Sequence, residues 1–149
     1  MSARAAARIG DRAECERSLA AAESALSRTD PSAPAWIAYF DECEFADEAA
    51  HCFRDLGMFG RSAESAQVCL GYPEQGSPRS RVFSRIVRAE ALFGMGEPEH
   101  AAEISMAVLP LSASMASQRT SSYLAELRMR AEPFAGVPAV AEFLGSCPV

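Results

Sequence analysis

The chain has 149 residues, 49% of them hydrophobic and 23% charged, and a formal charge of −6. That size and mix suit one folded domain, spanning 1–149, with a real core. The negative balance argues against non-specific binding to nucleic acid or to an anionic membrane surface, since both need net positive charge.

Helical periodicity runs through the sequence, and β-branched residues never alternate over a useful length. From Asp11 to about Arg28, the residues Cys15, Leu19, Ala22 and Leu26 form one stripe of an amphipathic helix. "TDPSAP" then breaks the chain. The next helical segment runs from Trp36 to Leu56, with Asp41 placed to cap a fresh helix after a bend at Phe40. Its apolar face is Phe45, Ala46, Ala49, Cys52, Phe53 and Leu56, and Gly57 is a natural stop. A shorter helix follows from about Arg61 to Leu70, and "GYPEQGSP" is a loop. The span Arg79 to Phe93 carries Val82, Ile86, Ala89 and Phe93 on one side. After "GMGEP", a helix lined by Ala101, Ile104, Val108 and Leu109 is expected to end near Pro110. The last long helix, about Ser114 to Ala131, carries Leu124, Leu127 and Ala131, and "AGVP" leads to a short helix with Val140, Phe143 and Leu144.

The spans following Gly10, Gly57 and Gly96 are similar: a glycine turn, a small residue, then an apolar stripe. The glycines are 47 and 39 residues apart, more than the 34 of an ideal tetratricopeptide repeat. One hairpin cannot bury its own stripe, so neighbours must stack.

Five cysteines (Cys15, Cys43, Cys52, Cys69 and Cys147) without a C-x-x-C pattern read as buried or half-buried free thiols in a reducing compartment. No signal-peptide pattern opens the chain and no apolar run reaches the roughly 18 residues of a membrane span, so a cytoplasmic protein is expected. Every basic residue is Arg. Together with the abundant Ala, that composition suggests a GC-rich bacterial source.

The pieces "WIAYFDECEFADEAAHCFRDLG", "SPRSRVFS", "GEPEHAAEI" and "RMRAEPFAGVPAVAEFL" resemble, in order, the C-terminal region of actinobacterial helix-turn-helix transcriptional regulators. The most specific piece is "AGVPAVAEFL" after an Arg-rich helix. The resemblance covers nearly the whole chain. It implies an all-α fold: a tetratricopeptide-like array of antiparallel helical hairpins, a right-handed α-solenoid with a C-terminal capping helix. It also implies a regulatory setting. Such regulators carry a DNA-binding domain before the repeats. Here the first thirty residues already read as repeat helices, so the chain resembles the sensor or scaffold half, and direct DNA binding is not expected.

The only two histidines fall in E-x-x-H motifs, Glu48/His51 and Glu97/His100. A di-iron bundle uses such motifs, but its ligands converge on a core from four helices. His51 lies opposite its helix's apolar face, among Glu44, Asp47, Glu48 and Asp55, and His100 lies in a turn. The expectation is therefore no metal and no cofactor, with His51 on a solvated or groove-lining face and its pKa raised by the carboxylates. Arg81, Arg85 and Arg88 form a stripe opposite the apolar face of their helix. Stacking is expected to bring this stripe beside the acidic row Asp41, Glu44 and Glu48, in a concave groove walled by Trp36, Tyr39, Phe40 and Tyr123. Arginine suits bidentate recognition of carboxylate or phosphate.

These residues point first to a binding module for a protein, a peptide or an anionic small molecule. A small enzyme or biosynthetic-pathway accessory protein is the alternative, with His51 as acid–base beside Glu48 or Asp55. A structural module is a third reading, and self-association as a homodimer is left open.

Overall fold

The computed structural model describes residues 2–28, 40–72, 78–113, 115 and 117–147. Their regular structure is helical throughout. The α-helices are α1 (Ala3–Arg8), α2 (Arg12–Leu26), α3 (Glu42–Asp55), α4 (Phe59–Gly71), α5 (Pro78–Met95), α6 (Pro98–Ala113), α7 (Gln118–Ala131) and α8 (Pro138–Ser146). A 3-10 turn, Glu132–Phe134, joins the last two.

Local chemistry sets most helix starts. The Asp11 carboxylate accepts the Glu14 N–H at 3.0 Å, and Asp41 accepts the Glu44 N–H at 2.9 Å. Ser117 Oγ accepts the Thr120 N–H at 3.2 Å. Each supplies an acceptor to an otherwise unpaired helix N-terminus. The bend expected before Asp41 is therefore where α3 begins, while Trp36 and Tyr39 lie outside the described residues. α7 starts four residues later than the periodicity suggests, at the Ser117 cap.

One device ends α1, α3 and α5 alike. Gly10, Gly57 and Gly96 all have positive φ, at 77°, 70° and 77°. At each, the glycine N–H and the next N–H reach back to two consecutive carbonyls: Ala7 and Ala6, Arg54 and Phe53, Phe93 and Leu92. This is the Schellman closure, which favours glycine at the left-handed position. α6 runs on to Ala113 instead of stopping near Pro110. Proline forfeits a single backbone hydrogen bond there, and its side chain is exposed in the closing turn.

Each helix from α1 to α7 packs on the next in the chain, and α8 packs on α6 and α7. The odd-numbered helices also touch in series: α1 on α3, α3 on α5, α5 on α7. The expected apolar stripes are where the cores lie. Val82, Ile86, Ala89 and Phe93 are buried, as are Leu124, Leu127, Ala131, Val140 and Phe143. In α3, Ala46, Ala49, Cys52 and Phe53 are buried, and so are Asp47, Ala50, His51 and Arg54 around the other side. α3 is enclosed because α1, α2, α4 and α5 all pack against it. All five cysteines are free and buried.

Candidate functional site

The buried polar side of α3 is a stripe of Asp47, His51 and Arg54. It faces a matching stripe on α5, where Ser80 Oγ donates to Glu44 at 2.6 Å, Ser84 Oγ donates to Asp47, and Arg54 Nη1 donates to Glu90 at 2.6 Å. α7 closes the cluster with Tyr123, whose ring stands edge-on to His51 at 5.4 Å between centroids. Arg4 of α1 reaches the same ring and donates to Tyr123 Oη at 3.4 Å. Arg119 lies over Phe83 and Tyr123.

In front of this cluster is a polar pocket of about 180 Å³, lined by Arg4, Arg8, Arg54, Asp55, Tyr123, Glu126 and Arg130. Arg54 is firmly held: two of its nitrogens donate to Asp55 at 2.9 and 2.7 Å, and a third donates to Glu90. Burial disfavours its charge, but Glu90 and Asp55 outweigh that and raise its pKa. Other opposed charges stand near one another without close contact. Arg4 and Glu48 are 3.6 Å apart, Arg54 and Glu126 3.9 Å, Arg130 and Glu90 4.0 Å. Among the described residues, the buried side-chain N and O atoms without a hydrogen-bond partner are Arg4 Nη1, both ring nitrogens of His51, and Glu90 Oε1. All four belong to this one cluster. Orphaned buried polar atoms are rare in folded proteins, and here they are concentrated in one place.

The titratable groups reflect the enclosure. Burial is the main cause of the rise in Asp47 to about 6, which the Ser84 hydrogen bond opposes and the charges of Glu48 and Glu44 reinforce. Glu90 is also raised by burial, against the pull of Arg54 and Arg130. His51 is lowered well below its ordinary value by burial, then by the charges of Arg4, Arg54 and Arg119. This corrects the expected rise: arginines, not carboxylates, dominate around the imidazole. His51 is 0% exposed, so it does not line a solvated groove.

The expected arginine stripe is elsewhere. Arg81 donates to the carbonyls of Tyr72 at 2.6 Å and Leu70 at 3.3 Å, capping the end of α4. Arg85 and Arg88 are half-buried and pair with no carboxylate among the described residues. In the acidic row of α3, Glu44 instead accepts from Ser80, one helical step round from the stripe, Glu48 stands opposite Arg4, and Asp41 caps its own helix. Of the expected groove residues, His51 and Tyr123 come together. Glu44 sits about two turns before His51 on α3, and half-buried Phe40 borders a separate hollow beside α2. In the alternative acid–base set, Asp55 is chelated by Arg54, and Glu48 is part-exposed opposite Arg4. His100 is exposed, 3.7 Å from Glu97. Among the described residues, no three His, Cys, Asp or Glu side chains gather in a metal-binding group.

The sequence reading missed Arg4, Arg8, Arg54, Glu90, Glu126 and Arg130. Two signals were available. Glu90 continues the i, i+4, i+7 line of Phe83 and Val87, an acidic residue on an apolar stripe. Arg119, Tyr123, Glu126 and Arg130 share one face of α7 at helical spacing. Compared with protein-family models, with curated proteins and with solved structures, the chain has no match.

Proposed function

We propose that the chain is a tetratricopeptide-like binding module that recognises a protein, a peptide or a small effector on the face formed by α1, α3 and α7. The observation that carries this reading is the convergence of those three helices on one polar pocket, with Glu90 of α5 behind it. Three hairpins closed by the same glycine turn, with their first helices in series, are the arrangement expected of stacked helical repeats. In such arrays the first helices present the binding surface. The regulatory setting, the actinobacterial source and the cytoplasmic location rest on the sequence alone.

The enzyme reading finds little support, because the candidate acid–base His51 is sealed from any substrate. Among the described residues, no helix is long and apolar enough to cross a membrane. Among the described residues, the exposed large apolar side chains are Ile9 in the turn after α1, Val68, Met95, Leu111 and Met129, one each from α4 to α7, so no single helix presents an apolar face for self-association.

The test is selection of binders from a displayed peptide library, followed by hydrogen-exchange mapping of the best one. Protection should fall on α1, α3 and α7, and the charge swaps Arg8→Glu and Glu126→Arg should weaken binding. A footprint on α4 and α6, or a selection that yields no binder, overturns the proposal.

A further inference from the structure

We infer that the pocket between α1, α3 and α7 binds a phosphoryl dianion, as free phosphate or as the terminal group of a small phosphomonoester, with Arg4, Arg8 and Arg130 as its donors. This rests on the proposed binding role of that face and narrows it to one ligand chemistry.

The first argument is charge. The whole chain is acidic, with 14 basic residues against 20 acidic ones. The pocket lining reverses that balance: Arg4, Arg8, Arg54 and Arg130 stand against two carboxylates, Asp55 and Glu126. Like charges gathered around so small a space repel one another unless an anion sits among them. The excess is two, which is the charge of a phosphoryl dianion. Arg54 is outside the donor set, because its nitrogens already donate to Asp55 and to Glu90 behind the pocket. The same bonds occupy Asp55, so Arg4, Arg8 and Arg130 face Glu126 alone across the lining. Glu48, outside the lining, stands 3.6 Å from Arg4 without a hydrogen bond.

The second argument is unused donors. Arg4 Nη1 is buried without an acceptor, and Nη2 makes one long hydrogen bond, 3.4 Å to Tyr123 Oη. Leaving a buried donor unpaired costs free energy, and an acceptor in the pocket recovers it once the fork turns inward. The Arg4 side chain keeps 28% of its surface exposed, so it has room to turn. Arg8 is exposed, and Arg130 comes no closer than 4.0 Å to Glu90, too far for a hydrogen bond.

The third is geometry. Arg4 and Arg8 are four residues apart on α1 and share one face, while Arg130 reaches the pocket from α7. A carboxylate is planar and is satisfied by one arginine fork. A phosphoryl group presents three acceptor oxygens in different directions, which suits forks arriving from two walls.

Size agrees. About 180 Å³ is less than the roughly 300–1,000 Å³ of pockets for drug-sized ligands and corresponds to about six waters of liquid. A phosphoryl group with a short organic arm fits; a nucleotide does not. Glu126 is the one lining group set against an anion. It stands 3.9 Å from Arg54 with 48% of its side chain exposed, so it can turn toward water.

The test is calorimetric titration of the full chain at low salt and about pH 8, where a phosphomonoester with a second pKa near 6 is dianionic. The probes are inorganic phosphate and glycerol 3-phosphate, with acetate as the planar, singly charged control. Phosphate or the ester should bind, and acetate should bind at least about tenfold more weakly. Tighter binding of the ester than of phosphate assigns the site to a phosphorylated small molecule; the reverse order assigns it to the free ion. Arg8→Gln and Arg130→Gln should each weaken binding about tenfold, and Arg17→Gln, which removes the same charge from α2, should not. Arg130→Lys should recover only part of the affinity, because it keeps the charge and loses the fork. Glu126→Gln should tighten phosphate binding, since phosphate, unlike a peptide, has no positive group for this carboxylate to meet. Arg8, Arg17, Glu126 and Arg130 are all at least part-exposed, so these variants should fold, which a thermal melt checks. The inference is overturned if neither phosphate nor the ester binds up to about 10 mM, or if acetate binds as well as they do. It is equally overturned if Arg8→Gln and Arg130→Gln keep full affinity, or if Arg17→Gln loses as much as they do. Silent phosphate and ester together with a peptide footprint on this face would overturn the phosphoryl site and leave the binding module standing.

Discussion

Asp47 and His51 lie one turn apart on α3 and respond to pH in opposite directions. Burial raises the folded-state pKa of Asp47 from 3.8 to about 6. The protonated acid therefore favours the fold: its contribution is complete below about pH 4 and lost as pH rises through about 6. A shift of about two units is worth at most roughly 3 kcal/mol. His51 is lowered in the fold, so its contribution is present above the ordinary histidine value of 6.5 and is lost as pH falls below it. Between about pH 4 and 6 the two partly cancel in the native protein, and single substitutions should separate them. Asp47→Asn can still accept from Ser84, and it should stabilise the protein at pH 7 by about 1–3 kcal/mol. What then remains is the His51 contribution, which rises with pH up to about 6.5, with Glu90 still opposing it. His51→Leu, of similar volume, should leave the effects of Asp47 and Glu90, both raised by burial and of the same sign, so stability should fall as pH rises from about 4 to 6. Melting temperatures across this range check both signs, and equal slopes in the two variants would refute the assignment.

At the scale of elements, the glycine turns give the sharpest contrast. Gly57 has φ +70° and Gly60, three residues on, lies inside the first turn of α4 with open space where a Cβ would stand. Gly57→Ala should cost about 1–2 kcal/mol through its left-handed backbone. Gly60→Ala should gain about 0.5–1 kcal/mol by helix propensity. Ala66 is fully buried where α4 meets α3 and α5, so Ala66→Leu should overpack and cost about 1–3 kcal/mol. Urea melts distinguish the three, and a stabilising Gly57→Ala would contradict the turn geometry. These features were legible in the sequence because each is local: a glycine after an apolar stripe, an aspartate before one, a small residue on the stripe itself. The second buried side of α3 was not. Its residues are Asp47, His51 and Arg54, which a hydrophobicity pattern assigns to solvent. The packing of α1, α5 and α7 against that side buries them. For the same reason the Arg81 stripe was misplaced. Periodicity shows which residues share a face but not which neighbour the face meets, and here the difference is one helical step.

Across the whole molecule, the apolar core is divided. One cluster runs from Val82 to Cys147 through α5–α8, and another joins Ala6, Cys15, Leu19, Ala49, Cys52 and Phe53 in α1–α3. Between them the buried apolar link is small, consisting of Ala50, Ala66 and Val87. Polar contacts form the rest of the seam between α3 and α5: Ser80 with Glu44, Ser84 with Asp47, and Arg54 with Glu90. Arg54 and Glu90 have side chains only 7% and 0% exposed, so their pairing is strongly conditional. Removing Arg54 strands the Glu90 charge in a poorly solvated place, removing Glu90 leaves Arg54 with Asp55 alone, and replacing both with apolar groups removes the buried pair. Glu90→Gln should therefore cost about 1–3 kcal/mol, and Arg54→Met with Glu90→Leu should recover most of that loss. The seam also predicts where the damage appears. With Glu90→Gln, α1–α4 should lose hydrogen-exchange protection before α5–α8, because the larger apolar cluster lies wholly in the second half. In the doubly apolar variant the two halves should open together, since the seam then continues the core. A Glu90→Gln protein that loses less than about 1 kcal/mol, with both halves exchanging in step, would show that the small Ala50–Ala66–Val87 link holds the array together without the ion pair.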